Sequence, residues 1–144
     1  MLSYRRLINS SNIVSNSPID LENQMLSIKS LQEDKETPVI ITDDQGIVIS
    51  INPAFESVFG WSWTDIVGQP MTLILPAYFK DSHTLGFSRF KTTGNSTILN
   101  HPLLLKAVTK DNREIDSEHY IIAEKIDGHW VFAATLRPIL DSTV

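Results

Sequence analysis

The chain contains no cysteine. That excludes disulfides, a thiolate nucleophile, thiolate metal sites and any cofactor tethered through sulfur. It fits a reducing compartment, and a cytoplasmic location is the expectation. Clustered positive charge is lacking too: the longest Lys/Arg run is Arg5-Arg6, in a chain of net charge −5. Nucleic-acid binders displace counterions with a concentrated basic patch, so no DNA or RNA partner is expected. No apolar run approaches the roughly 18 residues of a membrane span. The basic start Met1–Arg6 is followed by Leu7-Ile8-Asn9-Ser10 rather than an apolar segment, so neither a signal peptide nor a membrane partner is expected.

Catalytic signatures are missing as well. There is no Gly-x-Ser-x-Gly, no P-loop and no Gly-x-Gly-x-x-Gly. The four histidines show no His-x-x-x-His spacing, which argues against zinc. Asp43 and Asp44 are adjacent carboxylates, but they sit in a turn. The expectation is a protein that is not an enzyme.

What is present is one domain's worth of chain: 144 residues, 42% hydrophobic and 20% charged, the size and composition of a globular unit. Residues 1–18 are rich in Ser and Asn and read as a flexible arm. Residues 19–34 read as an amphipathic helix, with Leu21, Met25, Ile28 and Leu31 on one stripe. That stripe suits either an apolar face of the same domain or a second copy of the chain. Leu21, Met25 and Ile28 are therefore the candidate dimer interface. Residues 140–144 read as a tail.

From Pro38 the period changes. Val39–Thr42 and Ile47–Ile51 read as a hairpin around Asp43-Asp44-Gln45-Gly46, apolar enough to be covered on both faces. Asn52-Pro53 opens a short helix that Gly60 ends. Ser62 and Asp65 have capping-box spacing for a second helix, stopped at Gly68. A buried stretch, Met71–Pro76, leads to a longer helix over about 77–92, closed by Gly94. Three strands follow, near 97–109, 114–125 and 129–139. Lys110-Asp111-Asn112 and Asp127-Gly128 make the turns, and Pro102 marks an edge or bulge. Two hairpins separated by helices predict an α+β fold, an antiparallel sheet with helices on one face.

Several segments together resemble the PAS family. Ile41–Val48 looks like its first hairpin, and Asn52-Pro53-Ala54-Phe55 with Phe59-Gly60-Trp61 like its Asn-x-Ala-Phe…Phe-Gly signature. Asp65–Pro70 is similar to the acidic–apolar–Gly element that follows, and Ile74-Leu75-Pro76 to the approach to the long helix. Asn112 stands where the family's Lys-Asp-Gly turn has Gly, and Pro138 where many members have Asp. The resemblance covers residues 37–139. It implies a PAS-like five-stranded antiparallel sheet with short helices on one face and an N-terminal flanking helix. It also implies signal transduction: a small-molecule ligand in a cavity, a homodimer, and a histidine kinase (two-component signalling) or other effector as listener. The alternative is a ligand-free dimerisation module.

Phe79, His83, Phe87 and Phe90 recur along one face of the long helix, so His83 lies on an apolar surface. The run Tyr78–His83 with Arg89-Phe90 resembles haem-binding PAS sensors, where the helix His is the axial iron ligand. Haem b on His83 is the cofactor, and the only metal, that the resemblance implies. Leu103 stands where those sensors carry a distal Arg. The missing cysteines exclude a covalent flavin or a thioester-linked chromophore. On the middle strand of the last three, Ser117 and His119 share a face with Ile115 and Ile121 that the resemblance turns toward the cavity. His83, Phe79, Phe87, Leu103, Ser117 and His119 are the candidate binding residues.

Overall fold

A computed structural model of the chain describes residues 27–94 and 98–139, the Lys91 side chain excepted. The proposed arm, the tail, and Leu21 and Met25 of the predicted stripe lie outside the described residues. The described part of the N-terminal helix is α1, Ile28–Glu33, whose N-cap Ser27 accepts a hydrogen bond from the Ser30 N–H.

β1 (Val39–Thr42) and β2 (Val48–Ile51) pair antiparallel around the Asp43–Gly46 turn. Asp43 Oδ1 accepts from the backbone N–H of Gln45 and of Ile47, the side-chain turn chemistry that the pair of acids predicted. α2 (Pro53–Phe59) ends at Gly60, which takes a left-handed φ of 80°. α3 (Trp63–Ile66) begins in a complete capping box between Ser62 and Asp65. Two 3-10 turns, Met71–Ile74 and Ala77–Phe79, lead into α4 (Lys80–Thr93). The predicted helix start at 77 is thus a tighter turn that passes into α-helix at Lys80.

β3 (Pro102–Val108), β4 (Glu114–Ile126) and β5 (His129–Pro138) form a meander. Asp127 and Gly128 both have positive φ, as a two-residue hairpin turn requires. The sheet order is β2-β1-β5-β4-β3, antiparallel throughout, so the last strand lies at the centre. β3 is an edge strand that opens on Pro102, as the proline foretold. The expected five-stranded α+β architecture is present.

Alternation along β1 divides the core. Ile40 packs inward with Val48, Phe55, Phe59, Ile66, Ile74, Ala107 and Leu136. Val39 and Ile41 point to the other face, where Ile28 and Leu31 of α1 cover them together with Ile122 and Ala133. All four β1 residues are consequently buried. The same expectation fails for β2. It is the other sheet edge, and Ile49 is 43% exposed.

Asn52 ties the helical layer to the sheet. Its Oδ1 accepts from the backbone N–H of Phe55 and of Val39, and its Nδ2 donates to the carbonyls of Thr37 and Asp34. One buried amide therefore caps α2, pins β1 and anchors the α1–β1 connection. On the outer face, the Ile28 N–H donates to Glu124 Oε2 at 3.0 Å, fixing the start of α1 to β4.

Candidate functional site

Between α4 and the inner face of the sheet lies an apolar cavity of about 590 Å3. That is within the usual range for small-molecule sites, roughly 300–1,000 Å3. The helix side comes from the stripe read in the sequence: Phe79, His83, Phe87 and Phe90. The sheet contributes Ile40 and Thr42 from β1, Leu103 and Leu105 from β3, His119 and Ile121 from β4, and Phe132, Ala134 and Leu136 from β5. Met71, Ile74 and Leu75 close it on the side of the first 3-10 turn.

Aromatic contacts hold α4 over the sheet. Phe87 meets Phe132 with ring centroids 5.1 Å apart, and Phe90 packs edge-on against Phe132 and Trp130. These are the offset and edge geometries that aromatic quadrupoles favour. His83 stacks on Phe87, one turn along α4, at 6.0 Å.

The two imidazoles carry the electrostatic character of the site. His119 is buried, and desolvation pushes its pKa down to about 4. Desolvation lowers His83 in the same direction. Both rings are neutral near pH 7, and His83 Nδ1 and His119 Nε2 have no hydrogen-bond partner among the described residues. Buried polar atoms normally find one. The arrangement suits a ligand that is mainly apolar and offers a polar group to a neutral imidazole.

Five of the six candidate binding residues, Phe79, His83, Phe87, Leu103 and His119, border this one cavity. Ser117 does not. It is buried on the same strand face, but its hydroxyl donates to the Ile115 carbonyl, and it borders a separate hollow beside Tyr78, Leu104 and Ile139. Of the candidate interface, the described residue Ile28 is covered by the chain's own sheet. Sequence reasoning missed Thr42, Phe132, Gly86 and Arg89 as cavity residues. Inward alternation from Ile40 would have found Thr42. Gly86 and Arg89 lie beside the apolar stripe and gave no apolar signal.

The remaining histidines and tryptophans are peripheral. His101 is exposed, and exposed His129 lies 3.1 Å from Asp44. Trp61 donates its indole N–H to the Val108 carbonyl, while Trp63 is 48% exposed. Among the described residues no three His, Asp or Glu side chains gather as a metal site, and no helix is long and apolar enough to cross a membrane.

Residues 27–118 match the family described as the PAS fold. An uncharacterised protein of Azorhizobium caulinodans is 32% identical over 104 residues, covering 72% of this chain and 14% of that protein. The sensor protein FixL of Bradyrhizobium diazoefficiens is 31% identical over 61 residues, covering 42% of this chain and 12% of FixL. The chain thus spans less than a sixth of the length of either relative. Among solved structures, the PAS domain of a Colwellia psychrerythraea protein superposes with a TM-score of 0.62 at 16% identity, covering 78% of this chain and 96% of that one.

Proposed function

The chain belongs to the PAS family, and on that premise we propose that it is a non-catalytic cytoplasmic sensory module whose ligand occupies the cavity between α4 and the sheet. The observation that carries this reading is the cavity itself, about 590 Å3 of apolar space bordered by two neutral imidazoles. Occupancy acts through a difference in affinity for two arrangements of the domain, since only unequal affinity shifts an equilibrium. α1 is the element that passes the change on. It packs on the far face of the strands that border the cavity, and Glu124 holds its first turn. The listener is a second copy of the chain, joined through the stripe that includes Leu21 and Met25, or an effector such as a histidine kinase.

Native mass spectrometry of the purified protein tests the reading. A bound small molecule that is lost in Leu103→Trp, which fills the cavity, supports it. Protein that stays at its bare mass, with no thermal shift across an apolar ligand library, overturns it in favour of a ligand-free dimerisation module.

A second reading rests on His83. Its ring is neutral and lies on an apolar wall of the cavity, as an axial imidazole requires, and it stacks on Phe87. The residues fit haem in this respect, although His83 Nδ1 lacks the outer acceptor that ligating histidines commonly use. His83 would hold the iron, Phe79 and Phe87 would contribute apolar lining, and haem would supply a site for a diatomic gas or a redox change. Haem addition should then give a Soret band that His83→Ala removes. A wild-type protein that gives no such band defeats this reading alone.

A further inference from the structure

We propose that the ligand is an uncharged hydroxyarene whose hydroxyl is held by His119 Nε2 on the sheet wall of the cavity. This rests on the reading of the cavity as a ligand site and adds the chemical class of the ligand and the residue that selects it.

His119 is 4% exposed, and its Nε2 is buried with no hydrogen-bond partner among the described residues. Its neighbours in the sheet explain the gap. The cross-strand partners are Leu103 on β3 and Leu136 on β5. Along β4 the same face carries Ile121 and Ser117, and the Ser117 hydroxyl proton is committed to the Ile115 carbonyl. Buried polar atoms normally find a partner. Water is a poor one here, because a buried water is held by about three hydrogen bonds, and Leu103, Leu136 and Ile121 offer it none.

His83 is the other imidazole at the cavity, but it is the less buried of the two and stands on the helix wall between exposed Ser82 and Thr84. His119 sits on a strand paired on both sides. It is the ring held rigidly enough to set the direction of a hydrogen bond.

A hydroxyl suits Nε2 because it both donates and accepts, so it meets either imidazole tautomer. Charge does not suit this wall. An ammonium would find no carboxylate among the described residues that border the cavity. A carboxylate would leave water for a ring that burial keeps neutral. The one permanently charged residue of the described lining, Arg89, is exposed and belongs to α4, across the cavity from β4.

The apolar lining favours an aromatic body. Phe79, Phe87, Phe90 and Phe132 all border the cavity. Phe87 and Phe90 are already packed on Phe132. Phe79 has no ring contact among the described residues, and a planar ligand can supply one in the offset or edge-on geometry that aromatic pairs prefer.

Three probes of one shape test the assignment: 2-naphthol, which is uncharged near pH 7, 2-methylnaphthalene, which lacks the hydroxyl, and 2-naphthoate, which is an anion. Each is added to the intact protein, and binding is measured by equilibrium dialysis and by nitrogen-15 NMR of the histidine rings. 2-Naphthol is expected to bind about tenfold more tightly than 2-methylnaphthalene, and His119→Phe to erase that preference while still binding 2-methylnaphthalene. In the wild type the His119 Nε2 resonance should move far more with 2-naphthol than with 2-methylnaphthalene, a readout that stands even if the variant fails to fold. Equal binding of these two, an unmoved Nε2 resonance, or a preference that survives His119→Phe overturns the role of His119 and leaves the cavity standing. Tighter binding of 2-naphthoate than of 2-naphthol overturns the uncharged class. If no naphthyl compound binds while native mass spectrometry finds another molecule that Leu103→Trp expels, the inference falls alone. If the protein is also bare by mass, it falls together with the ligand-site reading.

Discussion

His83 on α4 and His119 on β4 border one cavity from different elements, and each keeps a ring nitrogen without a hydrogen-bond partner among the described residues. Both rings are held neutral by burial. The fold therefore contains two basic groups that bind protons more weakly than they do in the unfolded chain.

The sign of the pH dependence follows. Unfolded histidine protonates near pH 6.5, whereas His119 in the fold waits until about 4. Between those values the unfolded state binds more protons, so stability falls as pH falls and levels off below the folded pKa. His119 alone accounts for a loss on the order of 3 kcal/mol across that window. Urea unfolding at pH 7 and pH 5 should show the drop, and His119→Phe should flatten it. A wild-type stability that stays constant or rises toward pH 5 would refute the account.

Asn52→Ala should cost more than a helix cap. The cap is worth about 1 kcal/mol, but the amide also satisfies Val39 N–H and the carbonyls of Asp34 and Thr37. Leaving such groups unpaired in the interior costs about 1–3 kcal/mol each, so a total of about 3 kcal/mol or more is expected. Denaturant midpoints at constant m-value measure it, and a loss of only about 1 kcal/mol would mean that the remote bonds contribute nothing.

Ile28 and Leu21 should separate when each is substituted. Ile28 is buried against Val39, Ile41 and Ile122, so Ile28→Ala should lower stability by about 2–5 kcal/mol and raise amide exchange across α1. Leu21→Glu should instead shift a dimer toward monomer in sedimentation with little change in melting temperature. Wild type that sediments as a monomer at high concentration contradicts the dimer reading.

Phe90→Ala should cost about 3–5 kcal/mol, the range for buried aromatic deletion. Phe90 bridges α4 to Trp130 and Phe132, so Trp130 emission should shift to the red. In a background with Trp61 and Trp63 replaced by Phe, an unshifted spectrum would show that α4 is held by other contacts.

The sequence made local features plain and distant ones obscure. Turn and cap chemistry at Asp43, Asn52, Ser62 and Asp127-Gly128 lies within a few residues and was readable. So was the inward phase of His119, because strand alternation carries it. Strand order was not encoded in any local pattern, and Ile49 looked like core until β2 proved to be an edge. Ser117 and His119 share a face, yet two residues along β4 carry the chain from one hollow to another. The other three bonds of Asn52 reach residues 13 to 18 positions away, and only the folded chain brings them together.

The central position of β5 governs how this domain is made. β1 near the start of the described chain pairs with β5 near its end, Val39 opposite Thr135 and Thr42 opposite Phe132. On a ribosome the β1–β2 hairpin emerges before β5, the strand that pairs with its inner edge in the fold. The sheet, and with it the Phe132 wall of the cavity, forms only once the last strand has left the exit tunnel. Translation then imposes a waiting period in which β1 offers its unpaired edge to chaperones or to another nascent chain.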